Sequence, residues 1–124
     1  MDQNRQPTIR TLPKPSDINQ NGHIFGGWIL SQMDVAGGIT ALRRAGGPVA
    51  TVAIEAMPFH QPVLVHDWLS VYTDITRTGR TSIAVRIEVK VMRRGATEEV
   101  TVTEGTFVYV RIDEHGRPTP IDPE

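Results

Sequence analysis

Between residues 83 and 91 the chain alternates without a break. Ile83, Val85, Ile87, Val89 and Val91 occupy one set of positions, and Ala84, Arg86, Glu88 and Lys90 occupy the other. Only a β-strand, whose side chains point to opposite faces in turn, places all five branched apolar residues on one side. Such a strand needs paired neighbours and a cover for its apolar face. Leu69, Val71, Thr73 and Ile75 alternate in the same way with Ser70, Tyr72, Asp74 and Thr76. Residues 100–112 are rich in Val, Thr, Phe and Tyr, and residues 51–59 are mostly apolar and limited by Pro58 and Pro62. Four strands are therefore expected after residue 50, with Gly95 turning the chain between two of them.

The cover is expected from residues 27–45. Leu30, Met33, Gly37 and Ala41 recur at helical spacing on one face. Arg43 and Arg44 suit the negative end of a helix dipole, and Gly46-Gly47-Pro48 stops the helix. Internal Gly37 and Gly38 each weaken a helix by roughly 1 kcal/mol, and their use is close approach by neighbouring backbone. Residues 1–16, with Pro7, Pro13 and Pro15, read as a flexible lead-in holding one short strand at 8–12. Residues 17–22 are turn-rich, and residues 113–124 form a Gly- and Pro-bearing tail. The domain proper is thus residues 17–112. One helix followed by four long strands is not a βαβ series. It implies the α+β class, with an antiparallel sheet wrapped around one central helix that is buried all round.

Composition narrows the function. At 124 residues with 39% hydrophobic content, one small domain is expected, and association between subunits would help stabilise it. The absence of cysteine excludes disulfides, zinc thiolates and a cysteine nucleophile, and fits a cytoplasmic protein. The polar start carries no secretory signal, and no run approaches the ~20 apolar residues of a membrane helix. A net charge of -1 with no basic stripe argues against nucleic acid as partner.

Asp34 stands out. It lies mid-helix, four residues after Leu30 and three before Gly37, on the apolar face. A carboxylate there is costly unless paired, and a desolvated one is a candidate base or nucleophile. Gly26 and Gly27 open the helix, where free N–H groups can hold an oxyanion. No Gly-x-Ser-x-Gly motif occurs and no His pair has metal-ligand spacing, so His23, His60, His66 and His115 read as hydrogen-bonded loop residues.

The run from Asn19 to Asp34, N-Q-N-G-H-I-F-G-G-W-I-L-S-Q-M-D, resembles the signature of YciA-type acyl-CoA thioesterases of the hotdog superfamily. Thr51-Val52, Phe59-His60-Gln61-Pro62-Val63, Gly79-Arg80-Thr81-Ser82 and the segment from Val108-Tyr109-Val110 to Pro118 are also similar. The resemblance implies a hotdog fold, hydrolysis of acyl-CoA to CoA and a carboxylic acid, and no metal or cofactor, coenzyme A being part of the substrate. It implies homodimers with one continuous sheet and, in many members, trimers of dimers. By that match Asp34 is the catalytic carboxylate, Gly26 the amide that polarises the thioester carbonyl, and Asn19 a residue that orients substrate or water. Thr51 falls near a hydroxyl that holds the attacking water in some relatives. Asp34 would activate water or attack directly to give a mixed anhydride; both routes stay open.

Eight helical steps separate Gly26 from Asp34 by about 12 Å. One thioester carbon cannot meet both on one straight helix, so either the helix start is irregular or the two groups come from different chains; the resemblance implies the second, and sites shared across a dimer are expected. Arg80, Arg93 and Arg94, with Arg77 and Lys90, are read as a cluster for CoA phosphates, with Gly27, Thr81 and Ser82 as further contacts. Two rivals remain: a non-catalytic hotdog acyl-CoA sensor, and a hotdog dehydratase, which would want a His paired with an acid near the helix start.

Overall fold

A computed structural model describes residues 5–55 and 58–122. The elements in order are β1 (Ile9–Thr11), a 3₁₀ turn (Pro15–Asp17), α1 (Gly26–Ala45), β2 (Val49–Ile54), β3 (Trp68–Thr78), β4 (Ser82–Met92) and β5 (Glu99–Arg111). The strands form one antiparallel sheet in the order β1-β3-β4-β5-β2. α1 packs across β2, β3, β4 and β5. This is the α+β arrangement the alternation requires: Ile83, Val85, Ile87, Val89 and Val91 are all fully buried, facing Met33, Ala36 and Ala41 of the helix. α1 ends on Gly46, whose φ of 73° is left-handed and whose amide bonds back to the Leu42 carbonyl at 2.9 Å.

Four expectations need correction. α1 is not buried all round in a single chain. Val35 is 53%, Ile39 38% and Leu42 49% exposed, because the sheet covers only the face carrying Ile29, Met33, Ala36, Gly37, Ala41 and Ala45. The short strand expected at 8–12 is present as β1, but residues 5–16 around it are tied down rather than flexible, and residues 1–4 of the expected lead-in lie outside the described residues. β1 pairs with β3, the Thr8 amide reaches the Val71 carbonyl, and Arg5 bridges Asp74 and Glu88. The tail is also tied: Thr119 and Ile121 donate to the carbonyls of Arg111 and Arg80, and Ile121 is buried. Lastly, β2 stops at Ile54. Glu55, Phe59 and His60 still pair with β5, to Thr106, Thr103 and Val102, and Pro58 cannot donate to the ladder. Ala56 and Met57 of the expected strand lie outside the described residues.

Candidate active site

Asp34 is half-buried on α1, where its carboxylate meets the β2–β5 edge of the sheet. Two hydroxyls converge on one of its oxygens. Thr51 Oγ1 donates to Oδ1 at 2.7 Å, and the Tyr109 phenol donates to the same Oδ1 at 3.0 Å, with a second contact to the Asp34 carbonyl at 3.1 Å. The sheet sets this up. Thr51 and Tyr109 are cross-strand partners in the β2–β5 ladder, so their side chains share a face. Immediately after them the register shifts, and Val52 is the extra residue of a β-bulge.

Gly37, one turn beyond Asp34, makes the phenol's approach possible. A Cβ there would overlap the Tyr109 hydroxyl and lie 2.6 Å from Ile87 Cδ1. Tyr109 is 1% exposed. Burial, then the Asp34 charge and hydrogen bond, push its phenol well above the ordinary range, so it stays a donor.

Asn19 and Gly26 stand elsewhere. Both line a cleft of about 340 Å³ with His23, Phe59 and His60. The Asn19 side-chain oxygen accepts from the amides of Asn21 at 2.9 Å and His23 at 3.1 Å, which braces the turn leading into α1. Its side-chain oxygen is thus engaged in the loop. Phe25 precedes the helix in an extended conformation, and the Gly26 and Gly27 amides come before any intrahelical acceptor. His60 Nε2 meets Glu104 Oε1 at 3.3 Å on the rim of the same cleft. One chain therefore carries two groups of predicted site residues, Asn19 with Gly26 and Thr51 with Asp34.

Within one chain the arginines expected to cluster stand apart. Arg80 lies in the β3–β4 turn and Arg93 and Arg94 follow β4, so the 11 residues of that strand hold them about 35 Å apart. Arg93 is committed to the fold: it pairs with Asp67, which is 2% exposed, and donates to the Pro62 carbonyl at 3.0 Å. Arg94 is exposed beside an apolar cleft lined by Leu12, Val65, Trp68 and Met92. Thr81 and Ser82 are half-buried at the start of β4, where the Thr81 carbonyl accepts from the Arg111 amide at 2.8 Å and the Ser82 carbonyl from Gly79 at 2.7 Å. Sequence reasoning missed Tyr109 and the reason for Gly37. The signal was present: Tyr109 occupies an inward position of β5, and a buried phenol requires a partner. Among the described residues no group of three or more His, Asp or Glu side chains is placed to hold a metal ion.

An antiparallel sheet against one long helix, with an acid held mid-helix by hydroxyls from the sheet, defines the class as the hotdog-fold thioesterases. The family model for the thioesterase superfamily matches residues 21–96, which spans α1 to β4, and the chain belongs to that family. It is 44% identical over 116 residues to the acyl-CoA thioester hydrolase YciA of Salmonella typhimurium, covering 91% of this chain and 87% of that protein. It is 47% identical over 118 residues to an uncharacterized acyl-CoA thioester hydrolase of Buchnera aphidicola, covering 93% and 87%. The hexameric thioesterase y2039 of Yersinia pestis superposes with a TM-score of 0.90 at 40% identity over 98% of each chain.

Proposed function

We propose that this chain is an acyl-CoA thioester hydrolase, built as a homodimer whose two sites each draw on both subunits. The observation that carries the chemistry is the Asp34 carboxylate, held mid-helix by Thr51 and Tyr109 in a thioesterase-family fold. The named activity of the YciA relatives supports acyl-CoA as substrate. Gly26 N–H polarises the thioester carbonyl and stabilises the developing oxyanion. Asp34 activates water or attacks directly, and CoA leaves as its thiolate. Asn19 holds the turn that aims Gly26 and offers its Nδ2 to the substrate. The reaction as proposed draws on no metal or cofactor. Arg80, with Thr81 and Ser82 at the same turn, meets the CoA phosphates.

The two half-sites argue for sharing. Gly26 and Asp34 lie eight residues apart on one helix, about 12 Å. Val35 on α1 and Phe25 just before it, 53% and 52% exposed, and the edge strand β2, with Val52 and Ile54 exposed, offer apolar surface to a second copy. Antiparallel packing of two α1 helices about a two-fold axis brings Asp34 of one subunit beside Gly26 of the other, twice. The hexameric relatives fit a further assembly of three such dimers. No helix among the described residues is long and apolar enough to cross a membrane. A CoA substrate and a cysteine-free chain fit the cytoplasm.

The test is thiol release from butyryl-, hexanoyl- and palmitoyl-CoA by the wild-type chain and by Asp34→Asn. Turnover in the wild type and a loss of about 100-fold or more in folded Asp34→Asn are expected. Tight acyl-CoA binding with no thiol released by the wild type would instead make it a sensor. Full activity of Asp34→Asn would remove Asp34 from the chemistry.

A further inference from the structure

We propose that Tyr109 is a positioning residue for the reaction: together with Thr51 it saturates Oδ1 of Asp34, so that Oδ2 alone meets the thioester or its attacking water. This rests on the reading of Asp34 as the reactive carboxylate. Three observations carry it. First, both donors converge on one oxygen, at 2.7 and 3.0 Å, while Oδ2 makes no hydrogen bond among the described residues. A carboxylate with one oxygen pinned twice cannot rotate about its Cβ–Cγ bond without breaking both bonds. The reactive oxygen is thereby held in one direction before substrate arrives.

Second, the phenol has one proton and two acceptors in range, Oδ1 and the Asp34 carbonyl. The carbonyl, mid-helix, already accepts from the helix ladder. The charged oxygen is the stronger acceptor, so the proton lies toward the carboxylate. Third, the molecule is shaped around this contact. Gly37 vacates the space the hydroxyl occupies, and also clears Ile87 Cδ1, at a cost in helix propensity. The cross-strand pairing of Thr51 with Tyr109, with the bulge directly after it, puts both hydroxyls on the helix-facing side.

The role implies a particular kinetic signature. Tyr109 is buried and its hydroxyl meets Asp34, so its loss should act on kcat and leave KM in place. The experiment compares full-length Tyr109→Phe, Thr51→Val, the double variant and Asp34→Asn in steady-state thiol release from hexanoyl-CoA, with thermal melting of each. Tyr109→Phe keeps the ring that fills the core, and its kcat is expected to fall about 10- to 100-fold with KM within about twofold of wild type. Thr51→Val, at the sheet edge, is expected to lower kcat in the same KM-neutral way. The double variant is expected to lose more than the product of the two single losses, because either donor alone still restrains the carboxylate. A folded Tyr109→Phe with kcat within about twofold of wild type overturns the proposal. So does Thr51→Val with unchanged kcat, whether or not Tyr109→Phe folds. If Asp34→Asn is inactive while both hydroxyl variants are fully active, the positioning role fails and Asp34 keeps its place. If Asp34→Asn itself turns over normally, the reading beneath the proposal fails.

Discussion

A complementation experiment tests the shared site directly. One parent is Asp34→Asn, which removes the proposed base or nucleophile, at an expected cost of about 100-fold or more. The other is Gly26→Pro, which deletes the amide hydrogen assigned to the oxyanion while sparing the helix. Gly26 is the first residue of α1, where proline is well tolerated, and Phe25 before it has φ -56° and ψ 134°, the extended geometry a following proline prefers. A Cβ at Gly26 would sit 3.8 Å from Phe59 Cζ, an ordinary contact. Loss of one oxyanion donor costs about 10²- to 10³-fold, so both parents are nearly silent. Equal amounts, co-expressed and reassorted at random, give mixed dimers in about half of the population. In each mixed dimer one site receives both lesions and the other receives neither. The preparation should recover about a quarter of wild-type turnover, with unchanged KM. Native mass spectrometry confirms the mixed species and thiol release measures the recovery. If mixed dimers are present and turnover stays at the level of the parents, each site is built within one chain and the argument from the 12 Å helix separation is wrong.

Gly37→Ala should destabilise the fold by about 1–3 kcal/mol, since the added methyl overlaps the Tyr109 hydroxyl and crowds Ile87; chemical denaturation measures it. Arg93→Ala should cost about 3 kcal/mol of stability by stranding the buried Asp67, with KM for acyl-CoA unchanged, whereas Arg80→Ala should raise KM; a rise in KM at Arg93 would return it to the proposed CoA contacts. Both tyrosines have phenols raised above the usual value of about 10, Tyr72 by burial and then by Glu99, Tyr109 by burial and then by Asp34. The unfolded chain therefore loses these protons first, and stability should fall as pH rises through about 10; tyrosinate absorbance should appear together with unfolding rather than before it.

The alternation of β4 was legible in the residues because every second side chain of that strand meets the same apolar environment on α1. β3 was legible only in part. Ile75 continues the pattern yet is 40% exposed, because a register shift lies just beyond it. Ser70 and Tyr72 sit on the outer face yet are buried, because Arg10 bonds Ser70 and Arg5 lies 4.7 Å above the Tyr72 ring. Covering of that kind comes from a segment some 60 residues away in the chain and leaves no periodic trace. Asp34 could be found as an acid on an apolar face. Its partners could not, since Thr51 and Tyr109 meet only through a strand register that no spacing encodes. The arginines misled for the opposite reason: neighbours across one extended strand are near in sequence and far apart in space. The bare face of α1 reflects a property of one chain taken alone.

The pairing of Thr51 with Tyr109 also decides where this molecule tolerates changes of length. α1 ends at Ala45 and β2 begins at Val49, so the connector consists of Gly46, Gly47 and Pro48, tightly turned at Gly46. One residue added between that turn and Thr51 would rotate Thr51 to the opposite face of the sheet and take its hydroxyl away from Asp34. The segment joining β4 to β5 is under no such constraint. Gly95, Ala96 and Thr97 are exposed at the far end of the sheet, and extra residues there leave the ladder on either side in step. A fused domain or a tether for immobilisation belongs at that tip, while the Gly46–Pro48 connector must keep its count.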